Sequence, residues 1–227
     1  MRNTLVFTGL SVGIETALGL GVALLLNQPS RWRTALRVAL LVPWAMPTVV
    51  SAKIWSWMLH DPFGIINQGL LAAGLQGAPI AFTADPQWTM ATLVMVDVWK
   101  ATPYMALLIL AGLQTVPTDC IEAARVDGVS TWAVFRHVTQ PLILPAIGVA
   151  VVFRTLDALR VFDLIYVMTS NNSGTRSMSV FVREELVDFG LVGYGSAAAT
   201  ALFFVVALVT LLAMALLRPG LQRVQQP

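Results

Sequence analysis

The chain has 227 residues, of which 57% are hydrophobic and 11% charged, whereas ordinary soluble domains carry roughly 25% charged residues. This composition excludes a soluble globular domain and indicates a membrane protein. The formal net charge of +2 is too small to indicate a nucleic-acid partner. The single cysteine, Cys120, excludes an internal disulfide.

Five apolar stretches are long enough to cross a membrane as helices, because about 20 helical residues span the hydrocarbon core. None shows the alternating polarity of a transmembrane β-strand. We therefore expect an all-α protein with about five transmembrane helices, a membrane domain over residues 1–217 and a cytoplasmic tail over 218–227. The five stretches cover residues 4–26, 38–59, 88–113, 142–168 and 194–217.

The arginines outside these stretches predict the orientation in the membrane, since basic residues concentrate on the cytoplasmic side. Seven lie in two loops and the tail on one side, and three lie on the other. The larger set predicts the cytoplasmic side of a multi-pass membrane protein, with the N-terminus outside and the C-terminus cytoplasmic. The two sets are Arg31, Arg33, Arg37, Arg125, Arg136, Arg218 and Arg223 against Arg2, Arg176 and Arg183.

The longest polar segment follows the third stretch and is patterned as two short helices joined by a tight turn. Asp119 and Glu122 match a capping box at the start of the first helix, and Gly128 suits its C-terminal end. Ser130 can cap the second helix, which Pro141 is expected to end. We expect a helical hairpin on the cytoplasmic side.

The second helix of this hairpin carries an apolar stripe, formed by Trp132, Phe135 and Val138 at three-residue spacing. Such a stripe is typical of a helix that lies on the membrane surface. It is equally typical of a helix that docks into a groove on a partner protein. The spacing alone does not separate the two interpretations.

The order of residues in this segment resembles a known motif. "EAARVDG" followed by "VSTWAVFRHVTQPLILP" is similar to the cytoplasmic EAA loop in the membrane subunits of ATP-binding-cassette (ABC) importers. Two positions depart from the motif, where Val138 and Gln140 replace the usual Ile and Leu. Further blocks, such as "FGIINQGL" and "VDVWKATPYMALLILAGLQTVP", resemble successive parts of the maltose-type sugar permeases, so the resemblance covers nearly the whole chain.

This resemblance implies the type I ABC importer permease core, in which the loop over residues 114–141 forms coupling helices that sit in a cytoplasmic ATPase. It implies three protein partners: a second permease subunit, a pair of ATP-binding-cassette ATPases and an extracytoplasmic solute-binding protein. The chain has no Gly-x-x-x-x-Gly-Lys phosphate loop, so we expect a transport subunit without enzymatic activity, cofactor or metal of its own. The implied coupling residues are Glu122, Ala123, Ala124, Asp127, Gly128, Trp132, Phe135 and Pro141.

The resemblance further implies transport of a sugar or small oligosaccharide across the plasma (inner) membrane, along a path between two permeases. The segments over residues 60–87 and 169–193 are expected to meet the binding protein, or alternatively to lie as lids on the membrane. An outside N-terminus without a signal segment is unusual. We expect either that a preceding span has been lost or that the true start lies upstream.

Charged residues inside the third and fourth stretches are informative, because a charge at mid-membrane costs about 2.5–3.5 kcal/mol on insertion scales. We expect them to face the solute pathway. Alternatively, the Arg/Asp ladder that continues to Asp163 pairs along one helix and locks it to the partner permease. The candidate pathway residues are Asp97, Lys100, Tyr104, Arg154, Asp157 and Arg160.

Two other charges and three prolines lie in the stretches. Glu15 is expected to contact another helix, and Lys53 to reach the membrane surface or to pair with a charge. Pro43, Pro47 and Pro103 are expected to kink their helices and to open space near the middle of the membrane.

Three other functions are compatible with these patterns. A permease for another small solute, such as a polyamine or an amino acid, would use the same machinery. A proton-coupled secondary transporter would use the charged residues but would not need the EAA-like loop. An intramembrane enzyme would need Asp157 and Asp163 as a carboxylate pair, and on one continuous helix these two lie about 240° apart, on opposite sides.

Overall fold

The computed structural model describes residues 1–29, 31–169, 172 and 174–223. These residues form helices and connecting loops, with no β-strand among them. One π-helical turn follows α7 over Phe135–Thr139 and another follows α10 over Glu184–Asp188. The helices are α1 (Arg2–Asn27), α2 (Arg33–Ala45), α3 (Thr48–Met58), α4 (Ile65–Ala72), α5 (Pro86–Leu113), α6 (Thr118–Val126), α7 (Thr131–Val134), α8 (Gln140–Leu159), α9 (Asp163–Thr169), α10 (Met178–Arg183) and α11 (Val192–Arg223).

Four helical segments of the described chain are long and apolar enough to cross a membrane, namely Arg2–Asn27, Pro86–Leu113, Thr131–Leu159 and Val192–Ala215. The pair α2–α3 is bent and makes a fifth span if it counts as one. The all-α class and the number of about five transmembrane helices are therefore confirmed.

The prediction of one helix over residues 38–59 is wrong. The chain breaks after Ala45, and α3 leaves α2 at an angle of 88°. Met46 has an extended backbone, with φ −73° and ψ 140°, which is the conformation favoured before a proline. Pro47 has no N–H with which to continue the hydrogen bonds of α2, and it becomes the N-cap of α3. This proline breaks the helix instead of kinking it.

The prediction of one helix over residues 142–168 is also wrong. The spanning helix starts at Thr131 and ends at Leu159, and α9 begins only at Asp163. Arg160 leaves the helical conformation, with φ −101° and ψ 13°. The predicted span therefore joins the end of one long helix to a separate short helix.

Pro141 does not end the second hairpin helix, contrary to expectation. The π-helical turn precedes it, and the N–H of Gln140 bonds to the carbonyl of Phe135. Pro141 then lies in the first turn of α8, where its missing N–H costs little. The hairpin helix and the fourth span are consequently one continuous helical rod.

The core is formed by α1, α5 and α8, which pack against one another. Two glycines allow the close approach of these helices. A Cβ on Gly19 of α1 would lie 2.8 Å from Cγ of Met105, and one on Gly112 of α5 would lie 2.4 Å from Cβ of Ala146. Small residues at such positions let helix backbones approach closely.

The loop between α3 and α5 is organised around Asn67, which is fully buried. Its Nδ2 donates to the carbonyls of Ile80 at 2.9 Å and Asp61 at 3.3 Å. Its Oδ1 accepts from the N–H of Ile80 at 3.0 Å and from Gln76 at 2.9 Å. These bonds give the loop a defined shape around α4.

The break after α8 is held by the segment that precedes α10. Ser177, the N-cap of α10, donates its Oγ proton to the carbonyl of Val161 at 2.8 Å. The start of α1 reaches the same segment, because the amide of Asn3 donates to the carbonyl of Arg176 at 3.2 Å. The first residues of α1 and the segment before α10 thus lie at the same end of the bundle.

Candidate functional site

A buried ion cluster joins the three core helices. Arg154 of α8 donates through Nε and Nη2 to both carboxylate oxygens of Glu15 in α1, at 2.6 and 3.0 Å. Its Nη2 also donates to Asp97 of α5 at 2.5 Å, and its Nη1 to Asp157 at 2.9 Å. One guanidinium therefore binds three carboxylates from three helices.

The members of this cluster differ in exposure. The side chains of Glu15 and Arg154 are 0% and 3% exposed, whereas that of Asp157 is 78% exposed. Charged groups in an apolar interior need partners, because desolvation of an unpaired charge costs several kcal/mol. Arg154 pairs with both Glu15 and Asp97 between the helices, and Asp157 forms the open edge of the cluster.

Lys100 makes no ion pair with Asp97 in the described residues, although the two lie three positions apart on α5. Its Nζ donates to the main-chain carbonyls of Met46 at 2.8 Å and Trp44 at 3.3 Å. Both carbonyls belong to the break between α2 and α3, where a terminating helix leaves its last carbonyls without N–H partners. Lys100 supplies the missing donor.

A cavity of about 770 Å³ opens beside the cluster. Trp44 and Tyr104 stack at its wall, with ring centroids 5.5 Å apart and an angle of 9° between the ring planes. Six charged side chains also line it, and their formal charges cancel. These are Asp97, Asp157 and Asp163 against Lys100, Arg154 and Arg160.

The cavity has the chemistry to hold a small polar solute. Carboxylates accept hydrogen bonds and guanidinium groups donate them, and both make stronger bonds than neutral groups do. The stacked rings add an apolar face. A solute with many hydroxyl groups matches this wall.

All six residues predicted for the solute pathway line this one cavity. They are Asp97, Lys100, Tyr104, Arg154, Asp157 and Arg160.

The predicted ladder of ion pairs is not formed beyond Arg154 and Asp157. Arg160 donates to the carbonyl of Leu156 at 3.2 Å, and the helix ends before Asp163.

Two other expectations about charges are settled by these contacts. The inter-helix contact of Glu15 is confirmed, although Arg154 was not predicted as its partner. Asp157 and Asp163 do not lie on opposite sides of one helix, because α8 ends between them and both line the cavity. Lys53 is exposed on α3.

The segment after α5 forms the expected helix, turn and helix. Gly128 has a φ of +73°, and the N–H of Val129 bonds to the carbonyl of Ala124 at 3.1 Å, which is the hydrogen bond of a Schellman cap. Ser130 accepts from the N–H of Ala133 at 3.3 Å as the N-cap of the next helix. The predicted capping roles of Gly128 and Ser130 are confirmed.

The capping box predicted at the start of this segment is wrong. The helix begins at Thr118, so Asp119 lies inside its first turn. The only hydrogen bond of the Asp119 side chain among the described residues is with the hydroxyl of Thr118, at 3.4 Å. The acidic side chain still suits the positive end of the helix dipole.

Most residues predicted for coupling lie on the surface of this hairpin. Trp132 is 68% exposed and stacks on Phe135, with ring centroids 5.6 Å apart. A groove of about 470 Å³ runs between these rings and the ends of α1 and α5. Of the eight residues predicted for coupling, Ala124 and Phe135 are half-buried. The other six are exposed, namely Glu122, Ala123, Asp127, Gly128, Trp132 and Pro141.

The chain matches a known protein family along most of its length. The family model described as "Binding-protein-dependent transport system inner membrane component" matches residues 15–223. The chain belongs to this family. The resemblance stated from the loop motif is thereby confirmed.

Two curated relatives and one solved structure resemble this permease over nearly all of its length. The trehalose/maltose transport system permease protein MalF of Thermococcus litoralis is 41% identical over 204 residues, covering 89% of this chain and 68% of the relative. The sulfoquinovosyl glycerol transport system permease protein SmoG of Agrobacterium fabrum is 38% identical over 218 residues, covering 95% of this chain and 70% of the relative. A bacterial ABC transporter involved in the import of the acidic polysaccharide alginate has the same fold, with a TM-score of 0.87 and 23% identity over 100% of this chain and 79% of that chain.

Proposed function

We propose that this permease forms, with a second permease subunit, the path by which a sugar or small oligosaccharide crosses the inner membrane. A pair of cytoplasmic ATPases hydrolyses ATP to drive the transport. An extracytoplasmic solute-binding protein delivers the solute. The permease contributes the path and the surface that couples it to ATP hydrolysis.

The observation that carries this proposal is the cavity beside Arg154. Asp157 and Arg160 are exposed to it, so a carboxylate acceptor and a guanidinium donor are available to hydroxyl groups. The stacked pair of Trp44 and Tyr104 offers an apolar face of the kind that packs on the C–H groups of a sugar ring.

The relatives support the choice of solute class. One is named for trehalose or maltose and the other for sulfoquinovosyl glycerol. Both are more than one third identical to this chain over most of its length. We therefore prefer a sugar to an amino acid or a polyamine as the solute.

The continuous rod from the hairpin to the cavity supports the coupling role. It starts at Thr131, passes without a break through the π-helical turn, and carries Arg154 and Asp157 near its other end. A movement of an ATPase against Trp132 is thus transmitted along one helix to the cavity wall. The residues that we propose for contact with the ATPase are Glu122, Ala123, Ala124, Asp127, Gly128, Trp132, Phe135 and Pro141.

We also propose the orientation given by the arginine distribution. The coupling hairpin lies in the cytoplasm, and the start of α1 lies outside together with the segment before α10. The hydrogen bond of Asn3 to the carbonyl of Arg176 supports this, because it brings the N-terminus and that segment to one end of the bundle. The loop ordered by Asn67 belongs to the same outer face and is available to the binding protein.

The test is uptake by the complete complex in proteoliposomes, with ATP enclosed in the lumen and the binding protein outside. We expect maltose or trehalose to accumulate only when ATP and the binding protein are both present, and to continue accumulating after a protonophore is added. Uptake that needs no ATP and collapses with the protonophore would establish a secondary transporter instead. ATP-dependent uptake of an amino acid or a polyamine, without uptake of any sugar, would overturn the solute class alone.

A further inference from the structure

The break between α2 and α3 is stabilised by hydrogen bonds from a residue of another helix, α5. We define residues 44–48 as the elbow. Within it, the carbonyls of Trp44 and Met46 point to Nζ of Lys100, at 3.3 and 2.8 Å. A helix that ends leaves its last carbonyls without N–H partners, so the elbow carbonyls need donors from another part of the chain. The elbow therefore depends on a donor supplied by α5.

The same helix also holds the ring of Trp44. Tyr104 follows Lys100 by four residues, so both side chains leave the same face of α5. The Tyr104 ring lies 5.5 Å from the Trp44 ring and nearly parallel to it. Trp44 is thus fixed at two points, at its main-chain carbonyl by Lys100 and at its ring by Tyr104.

From the sequence, Lys100 is expected to face the solute pathway, whereas these contacts indicate a different role. An ammonium group has three donors, and two of them are directed at the elbow carbonyls. We propose that Lys100 is a positioning residue, which fixes the elbow and so holds the Trp44 ring at the cavity wall, and that it does not itself bind the solute. The part that concerns the solute rests on the proposed function, whereas the part that concerns the elbow does not.

The elbow is tested first, without any solute. Cys120 is replaced by serine, Ala45, which is exposed, is changed to cysteine, and a nitroxide is attached there in the membrane-embedded complex. Lys100→Met removes the donors at nearly constant length, and we expect the electron paramagnetic resonance spectrum to show a more mobile label. Lys100→Arg keeps N–H donors for both carbonyls, and we expect the same spectrum as that of the labelled chain that retains Lys100.

Two controls make this measurement specific. Lys53→Met removes the other lysine of the chain, which is exposed on α3, and should leave the label at residue 45 unchanged. A label at Phe203, which is 66% exposed on α11, should be unaffected by Lys100→Met. An unchanged spectrum at residue 45 in Lys100→Met overturns the proposed support of the elbow. A change at both labels also overturns it, because it indicates a general loss of structure.

The proposal that Lys100 acts on sugar uptake by positioning Trp44 is tested by a double-mutant cycle on the rate of uptake. We expect Lys100→Met and Trp44→Ala each to lower the rate about tenfold, and the double variant to be no slower than Trp44→Ala alone. Effects that multiply to about a hundredfold would mean that Lys100 acts on the solute independently of Trp44, which overturns the proposal. If the wild-type complex takes up no sugar, the proposed function fails, while the spin-label result still decides the role of Lys100 at the elbow.

Discussion

Arg154 in α8 binds both carboxylate oxygens of Glu15 in α1, which lies 139 residues earlier in the chain. Neither side chain is more than 3% exposed. Because Asp97 of α5 shares the same guanidinium, the cluster fixes the three core helices relative to one another. Removing the arginine would leave two buried carboxylates without a cation.

The first prediction concerns the stability of this cluster. We expect Arg154→Met to destabilise the folded permease by about 3–5 kcal/mol, since breaking one side of a buried pair leaves its partners uncompensated. Arg154→Lys should cost less but should not restore stability, because an ammonium lacks the forked geometry that binds Glu15 through two nitrogens. Thermal unfolding in detergent measures both, with the exposed Lys53→Met as control. An unchanged midpoint in Arg154→Met would contradict the structural role.

The second prediction concerns the open edge of the cluster. Asp157 is 78% exposed, so Asp157→Asn should alter stability by less than about 1 kcal/mol. We expect it instead to change the relative uptake of two sugars, because it removes a charged acceptor from the cavity wall. Competition between maltose and trehalose in proteoliposomes measures this. If the variant only separates the two permeases, and the remaining complexes transport normally, the residue belongs to a lock and not to the pathway.

The third prediction concerns coupling. Gly128 has a positive φ and Glu122 is exposed on the preceding helix. Gly128→Val should distort the turn, because a β-branched residue rarely adopts this conformation, whereas Gly128→Asn should be tolerated. Glu122→Lys should change only the surface charge. We expect Gly128→Val and Glu122→Lys to lower solute-stimulated ATP hydrolysis by the complex while the permease stays in the membrane. Normal stimulation in both variants would refute a coupling role for the hairpin.

The extent of the regular helices was largely predictable. The first stretch, residues 4–26, corresponds to α1, and the third, residues 88–113, corresponds to α5. Both are continuous apolar runs, and α5 begins just after Asp85, whose carboxylate accepts from the N–H of Gln87 at 2.9 Å. Apolar length is a local property, which is why sequence alone identifies these two helices.

The two broken helices were not predictable from local pattern. Pro47 predicted a kink in the helix. Whether a proline kinks or breaks a helix depends on the hydrogen-bond donors available to the carbonyls that it leaves unpaired. Here Lys100 supplies those donors from 54 residues away in the chain. The break before Asp163 contains neither glycine nor proline. Its Val161 carbonyl is satisfied by Ser177, and the acidic residue in the first turn of α9 was the one local signal.

The energetic cost of a charge in a membrane identified the charged residues of the site from the sequence. It did not identify which of them form ion pairs with one another. That cost marks Asp97, Arg154 and Glu15 individually. Which of them meet depends on how α1, α5 and α8 pack, and Asp97 bonds to Arg154 on another helix instead of to Lys100 on its own. Spacing along one helix describes only the contacts within that helix.

The fourth prediction concerns the close approach of α5 and α8. A Cβ on Gly112 would lie 2.4 Å from Cβ of Ala146, so Gly112→Ala should push the helices apart and cost about 1–3 kcal/mol. Gly13→Ala is the matched control, because nothing lies within 4 Å of its Cβ position and the change there favours the helix. Adding Ala146→Gly to Gly112→Ala should restore most of the lost stability. Equal unfolding midpoints for the two glycine variants would contradict this packing.

The last prediction concerns the proposed orientation. Arg2 is exposed at the start of α1, and Cys120 is exposed on the first helix of the hairpin. In the wild-type chain we expect a membrane-impermeant maleimide to label Cys120 only after the cells are opened. In Arg2→Cys with Cys120→Ser, the same reagent should label intact cells, because the N-terminus faces outside.

The two cysteines act as controls for one another, since each reports the opposite side of the membrane with the same reagent. Arg2 is preferable to Asn3 for this purpose because Asn3 bonds to the carbonyl of Arg176, and its replacement would disturb the segment before α10. Protection of residue 2 in intact cells, together with labelling of Cys120, would reverse the orientation. It would also move the coupling hairpin to the outer face, where no ATP-hydrolysing partner can reach it, and it would thus overturn the proposed contact between Trp132 and an ATPase.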